Sequence, residues 1–505
     1  MKARAAAADG AVDAAAAGYA AALAAAPGDE VVAIRAYRNA LAAGDLALAR
    51  RAAAVLVRSD VAPPDTAILA FADAVKARSK VAADDAMGRI GAGPLDFLTP
   101  VLRAWVAFDR GSDPFQILDN ANESGLSRRY IAEHRALLLL ASNRREEGLA
   151  ALRAAMGADP GSIDLRWNAA SLLAGIGDRR TANDLLAGDD PTMAGLRRSL
   201  VAARPGTAFG TSRLLTRLAA DLQGQQTQVL GILLTRSALS LDPGDDRARL
   251  LLAAALSEEN AFDRAQLVLG TIKPASPFYS AAVAERIELR RKQGDSVQAL
   301  ALAESLASAR GASERDLRRY ADILSDQGRD AEAAKLYAEA LARAGTTANW
   351  VHHLQLGGAL ERSGNWAEAL PHLRKAVELA PDEPVALNYL GYAQVERGEN
   401  LTEAVALLER ASRLQPENPA ITDSLGWGYY RSGDLARALP LLERAAQGQP
   451  ASATINEHLG DAYWRAGRRF EARYAWRAAA LYAEGEQKAR LSSKLADGVV
   501  RTASN

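Results

Sequence analysis

The stretch DSLGWGYYRSGDLARALPLLERAAQGQP, residues 423–450, decides how the rest of the chain is read. It holds Leu425-Gly426, a second glycine at Gly433, then Ala438, Leu442, Ala445 and a closing Pro450. The same order is written three more times nearby. Leu-Gly recurs as Leu356-Gly357, Leu390-Gly391 and Leu459-Gly460, so successive glycines are 34, 35 and 34 residues apart. The second glycine follows at Gly364, Gly398 and Gly467, the small residue at Ala369, Ala404 and Ala472, and the large apolar residue at Leu373, Leu408 and Trp476. A further alanine comes at Ala376, Ala411 and Ala479, and two of these three units also close on proline, at Pro381 and Pro416.

The physical content of this pattern is a helix, a tight turn, a second helix and a stop. Glycine inside a helix costs roughly 1 kcal/mol relative to alanine, so Gly357, Gly391, Gly426 and Gly460 call for close approach of the paired helix. The alanines on the facing helix allow that approach, and the large apolar residue is expected to fill space between units. The second glycine suits a turn that needs positive φ, and a proline cannot continue the helix it ends. The extra residue of the second unit falls between Gly398 and Ala404, in the turn.

This pattern resembles the tetratricopeptide repeat (TPR) family, five landmarks of which recur here at fixed offsets. The resemblance implies an all-α, right-handed TPR superhelix, an α-solenoid of about fourteen helix-turn-helix units, in which stacked repeats share one elongated core. Laid along the chain, the same spacing assigns residues 1–190 to degenerate N-terminal repeats, 191–211 to a break or hinge, 212–349 to further degenerate repeats, 350–484 to the four clear ones and 485–505 to a polar-faced capping helix and tail. Landmarks of the degenerate part include Ala36, Tyr37, Ala40, Gly44, Ala49 and Leu56, and later Leu139, Gly148, Leu152 and Pro160. The Gly- and Pro-rich stretches GDDPT and ARPGTAFGTS end helices and leave room for a short one over 194–203.

The N-terminal MKARAAAADGAVDAAAAGYAAALAAAP looks like a signal peptide, but Asp9 and Asp13 interrupt its apolar segment. Gly10, Ala15, Tyr19, Ala22 and Pro27 instead repeat the intervals of Gly364, Ala369, Leu373, Ala376 and Pro381. This is a repeat with its front missing, and we expect residues of the protein, an export signal among them, upstream of Met1. At face value the chain is cytoplasmic; with such a leader it is periplasmic or envelope-associated.

Lys and Arg number 61, as do Asp and Glu. A nucleic-acid or anionic-membrane binder would show a basic excess. The chain has no cysteine, which excludes disulfides and thiolate metal sites. No run approaches the ~18 apolar residues of a membrane span. The five histidines form no HExxH, and the neighbours His352 and His353 point to different sides of a helix, as surface or groove side chains. There is no GxxxxGK[ST] phosphate loop and no GxSxG elbow. Gly426-Trp427-Gly428 lacks the third glycine of a dinucleotide fingerprint. The reading is therefore non-catalytic, with no cofactor and no metal.

Residues about 100° round the first helix from the Leu-Gly face cannot be buried against the second helix, and in TPR solenoids that stripe lines the concave groove. Here it comprises Asn388 and Tyr392, with Glu396, in the second unit. Asp423, Trp427, Tyr430 and Arg431 follow in the third, and Glu457, Asp461, Trp464 and Arg465 in the fourth. Aromatics with arginine dominate interface hot spots, which makes these the candidate partner-binding residues; the alternative is that Trp427 and Trp464 fill gaps between repeats. The positions by which TPR clamps hold acidic chaperone tails correspond to Leu354, Gly358, Asn388 and Asp423, which do not match that pattern.

The blocks NYLGYAQVERGENLTEAVALLERA (388–411), DSLGWGYYRSGDLARALPLLERA (423–445) and NEHLGDAYWRAGRRFEARYAW (456–476) are similar to envelope TPR proteins of proteobacteria. Some of those are lipoprotein adaptors for a C-terminal processing protease. The resemblance implies a scaffold or adaptor that holds a protein or peptide in its concave surface, in envelope quality control or assembly. The alternative is a helical-repeat RNA-binding protein of similar period, against which the balanced charge speaks.

Overall fold

The computed structural model describes residues 1–121, 125–158, 163–188 and 191–498. Pro160, Asp189, Asp190 and the tail from 499 onward, all singled out by the repeat spacing, lie outside them. Every regular element among the described residues is helical; apart from two short 3-10 turns, Asp96–Leu98 and Gly345–Thr347, the α-helices follow one another as fourteen consecutive pairs with two single helices, Pro191–Arg198 and Gly485–Asp497. The chain is thus a TPR-like solenoid of paired helices. It divides into two compact units, Met1–Leu306 and Ala307–Asn505.

In the second unit the four clear repeats are the pairs Trp350–Arg362 with Trp366–Leu379, Pro384–Arg397 with Leu401–Leu414, Pro419–Arg431 with Leu435–Gly448, and Ala453–Arg465 with Arg469–Ala480. The turn glycines take positive φ, at 85°, 67°, 87° and 82° for Gly364, Gly398, Gly433 and Gly467. The helix glycines are there because a neighbouring side chain takes the place of their Cβ. A methyl on Gly357 would stand 2.8 Å from Leu373, on Gly391 2.8 Å from Leu408, on Gly426 2.9 Å from Leu442 and on Gly460 2.3 Å from Trp476. The large apolar residue expected between units therefore lies on the glycine of its own unit, and it is buried in each case. Asn or Ser side chains cap several first helices, as Asn418 and Ser452 do by accepting from the N–H of Ile421 and Ile455.

The first unit departs from a simple stack in which each repeat touches only its neighbours. The segment 191–211, expected as a break, lies within this unit, and its short helix is Pro191–Arg198 rather than 194–203. The stretch read as helix-ending instead opens helix Thr207–Asp221, which packs on Thr99–Asp109. Gly210 sits inside that helix because Trp105, fully buried, lies flat against it, 2.2 Å from where a Cβ would be. Asp109 caps the helix start, accepting from Thr207 N and Oγ1 at 2.7 and 2.6 Å. The following helix, Gln228–Leu241, packs against Thr66–Lys76 and Glu30–Ala43. There Arg236 donates to the carbonyls of Leu41 and Ala42 at 3.1 and 3.0 Å, while Arg264 donates to that of Ala43. Two cations thus satisfy the free carbonyl end of one helix, and burial with a second cation alongside lowers the Arg236 pKa to about 10.

Candidate partner-binding face of the second unit

The first helices of the third and fourth repeats place their predicted stripe side by side, and the side chains are largely engaged with one another. Asp423 on Pro419–Arg431 meets His458 on Ala453–Arg465, with His458 Nδ1 2.9 Å from Oδ2 and 3.1 Å from Oδ1. Both are buried. Burial works against an imidazolium here, yet Asp423, with Glu396 and Asp461 behind it, outweighs burial and raises the His458 pKa above its ordinary value.

The imidazole lies flat on the Trp427 indole, with ring centres 4.0 Å apart and planes within 10°. Tyr430 covers the opposite face at 4.6 Å and 12°. Tyr430, Trp427 and His458 thus form a three-ring stack, a cation–π arrangement when the histidine is protonated. Trp427 Nε1–H donates to Glu396, and Arg431 donates to the backbone carbonyl of Glu396 at 3.3 Å. Tyr392 approaches His458 with ring centres 6.3 Å apart. Arg465 donates to the carbonyl of Tyr430 at 3.0 Å and lies 5.1 Å over its ring. Asn388, half-buried, has an Oδ1 that accepts no hydrogen bond from the protein.

In the fourth repeat three of the four predicted residues lie under the last helix, Gly485–Asp497. Glu457 receives Arg490 on both oxygens at 2.8 and 3.0 Å, Lys494 at 2.7 Å and Gln487 at 3.0 Å. Although burial alone would raise its pKa, these donors hold it down to about 2. Asp461 accepts from Lys494 at 2.6 Å and from Trp476 Nε1 at 2.9 Å, and burial nevertheless raises its pKa. Trp464 packs beside Trp476 at 5.3 Å, with the Arg469 guanidinium 3.6 Å over its ring.

The structure thus brings Tyr392, Asp423, Trp427, Tyr430 and Arg431 around one stack and Glu457, Asp461 and Trp464 around one helix. Asp423, Trp427, Glu457 and Asp461 are buried. Tyr392, Tyr430, Arg431 and Trp464 are half-buried, and Arg465 is exposed. Spacing within one repeat missed His458, Arg490 and Lys494, whose partners lie 33 to 37 residues away. A check one repeat further along for opposite charge was the signal that would have found them.

Of the adjacent histidines, His352 turns to Glu314 at 3.3 Å and His353 to His372 at 3.1 Å. They do point to different sides, but His352 is buried by its pairing rather than at the surface. Among the described residues no group of three or more potential ligands gathers to hold a metal, and no helix is long and apolar enough to cross a membrane.

The tetratricopeptide repeat family model matches residues 354–419 and 424–489. No curated protein matches the chain. Among solved structures, a tetratricopeptide repeat protein from Parabacteroides merdae is 17% identical over 49% of this chain and 96% of its own, with a TM-score of 0.42. TTC0263, a TPR protein of Thermus thermophilus, is 22% identical over 36% of this chain and 100% of its own, at 0.33. MamA from Desulfovibrio magneticus is 19% identical over 34% of this chain and 97% of its own, at 0.30.

Proposed function

We propose that this chain, a tetratricopeptide repeat protein over residues 354–419 and 424–489, is a non-catalytic scaffold or adaptor that holds a protein partner against the first-helix face of its second unit. The stacked Tyr430–Trp427–His458 rings carry this reading. Interlocked by Asp423 and Glu396, they give a rigid aromatic platform, and the half-buried Tyr392, Tyr430 and Arg431 and the exposed Arg465 form its accessible fringe. A pre-ordered surface of tyrosine and arginine binds with little loss of side-chain entropy. The finer role is in envelope quality control or assembly, supported by the likeness of the repeat blocks to envelope adaptors.

Affinity capture from the source cell's lysate with the intact chain and with Tyr392→Ala/Arg431→Glu tests this. A protein recovered only by the intact chain is expected, and its compartment decides the finer role. Identical protein sets from both baits overturn the reading, and recovery of RNA in place of protein favours the RNA-binding alternative.

A further inference from the structure

We infer that the part of this face formed by Glu457, Asp461 and Trp464 is a seat for a basic amphipathic helix of a partner protein, and that helix Gly485–Asp497 fills it as a displaceable stand-in. The inference rests on the partner-binding reading above and specifies the chemistry of the partner.

The first ground is how the last helix is held. It buries a single described side chain, Leu491, whereas Ala453–Arg465 buries eight residues and Pro419–Arg431 nine. Beyond Leu491 it adds the half-buried Leu495 in the same cluster, a hydrogen bond from Gln487 to Glu457, and ion pairs through Arg490 and Lys494 to Glu457 and through Lys494 to Asp461. The Arg490 side chain keeps 56% of its surface in water. An element with so little apolar burial opens at lower free energy than the repeats beneath it.

The second ground is the contrast with the preceding junction. Between the third and fourth repeats the buried acid Asp423 meets a histidine that is itself buried within the stack. At the last junction the acids are just as buried, but their counter-charges come from a helix that is mostly exposed. Glu457 is built into the solenoid; its partners are not.

The third ground is what opening uncovers. Glu457 and Asp461 become two carboxylates one helical turn apart, beside Trp464, whose ring Gly498 otherwise covers, and beside the buried site of Leu491 against Trp476. This array fits a helix with cations at i and i+4 and leucine at i+1, the pattern Arg490, Leu491 and Lys494 present. A neutral or acidic helix would leave two buried carboxylates unpaired.

The test uses the full-length chain and a fluorescein-labelled peptide of residues 485–498, GEQKARLSSKLADG. With Arg490→Glu/Lys494→Glu, which removes the resident cations, the peptide should bind at least tenfold more tightly than to the unaltered chain. Adding Glu457→Gln and Asp461→Asn should abolish that gain. Equal binding to all three overturns the seat, as does loss of the repeats' cooperative melt in the Arg490→Glu/Lys494→Glu chain, which would make the helix a structural cap. Lysate capture through Tyr392 and Arg431 reads the broader function separately, so failure of the seat is distinguishable from failure of that function.

Discussion

Asp423 and His458 sit 35 residues apart in sequence and 2.9 Å apart in space, one on each of two adjacent first helices, with less than a tenth of either exposed. The pair ties the third repeat to the fourth and fixes the ring stack. Replacing His458 by alanine leaves Asp423 buried without its cation, which costs about 3–5 kcal/mol. Urea melts of His458→Ala followed by Trp fluorescence should show a loss of that size. The double variant Asp423→Asn/His458→Gln should recover part of it.

The same pair makes the second unit pH-sensitive. The folded-state pKa of His458 is raised, so its contribution is fully present below the ordinary histidine value and is lost as pH rises through the raised one. Facing it are Asp423, Glu396 and Asp461, together with the Trp427 and Tyr392 rings. Thermal melts should fall in midpoint as pH rises from mildly acidic into the alkaline range, and His458→Gln should flatten that limb.

Acid acts on the last helix with the opposite sign. Glu457 has a depressed pKa near 2, so its contribution is present above the ordinary 4.5 and is lost as pH falls from there through about 2. Trp fluorescence from Trp464 and Trp476 should report release of Gly485–Asp497 in that interval, in a background of Trp427→Phe to silence the neighbouring stack.

Two glycines with opposite surroundings separate packing from helix propensity. Gly460→Ala forces a methyl to within 2.3 Å of Trp476 and should destabilise by about 1–3 kcal/mol, despite the gain in propensity. Gly88, in helix Lys80–Gly91, meets nothing within 4 Å, and Gly88→Ala should stabilise by roughly 0.5–1 kcal/mol. Differential scanning calorimetry of the two variants checks both signs.

In the first unit, Arg236→Ala should cost about 1–3 kcal/mol, because the carbonyls of Leu41 and Ala42 lose a buried donor. Hydrogen exchange should show the end of helix Glu30–Ala43 fraying first.

The paired helices were legible because their determinants are local. Gly357, Leu373, Gly364 and Ala369 lie within 17 residues of one another, and each states a steric requirement that a one-dimensional ruler can detect. The candidate face was legible as a stripe but not as a set of partnerships. Whether Asp423 or Glu457 is free depends on which residue one repeat later turns toward it, and that register is set by how repeats stack. The self-packing of the first unit was hidden for a related reason. Gly210 reads as a helix breaker until Trp105, more than a hundred residues earlier, is known to lie on it. Arg236 reads as one more solvated charge until the carbonyls of Leu41 and Ala42 are seen beneath it.

That last contact bears on how the protein is made. The end of helix Glu30–Ala43 is completed by Arg236, 195 residues downstream, and the turn glycine Gly10 lies against the backbone of Asn260. A chain emerging from the ribosome N-terminus first exposes its earliest repeats for the whole time the polypeptide that will close over them is being translated. Contacts of such sequence separation form late and slowly. The opening repeats of this protein must therefore wait, with the alanine-rich faces of their helices uncovered, until the segments that carry Arg236 and Asn260 have been synthesised.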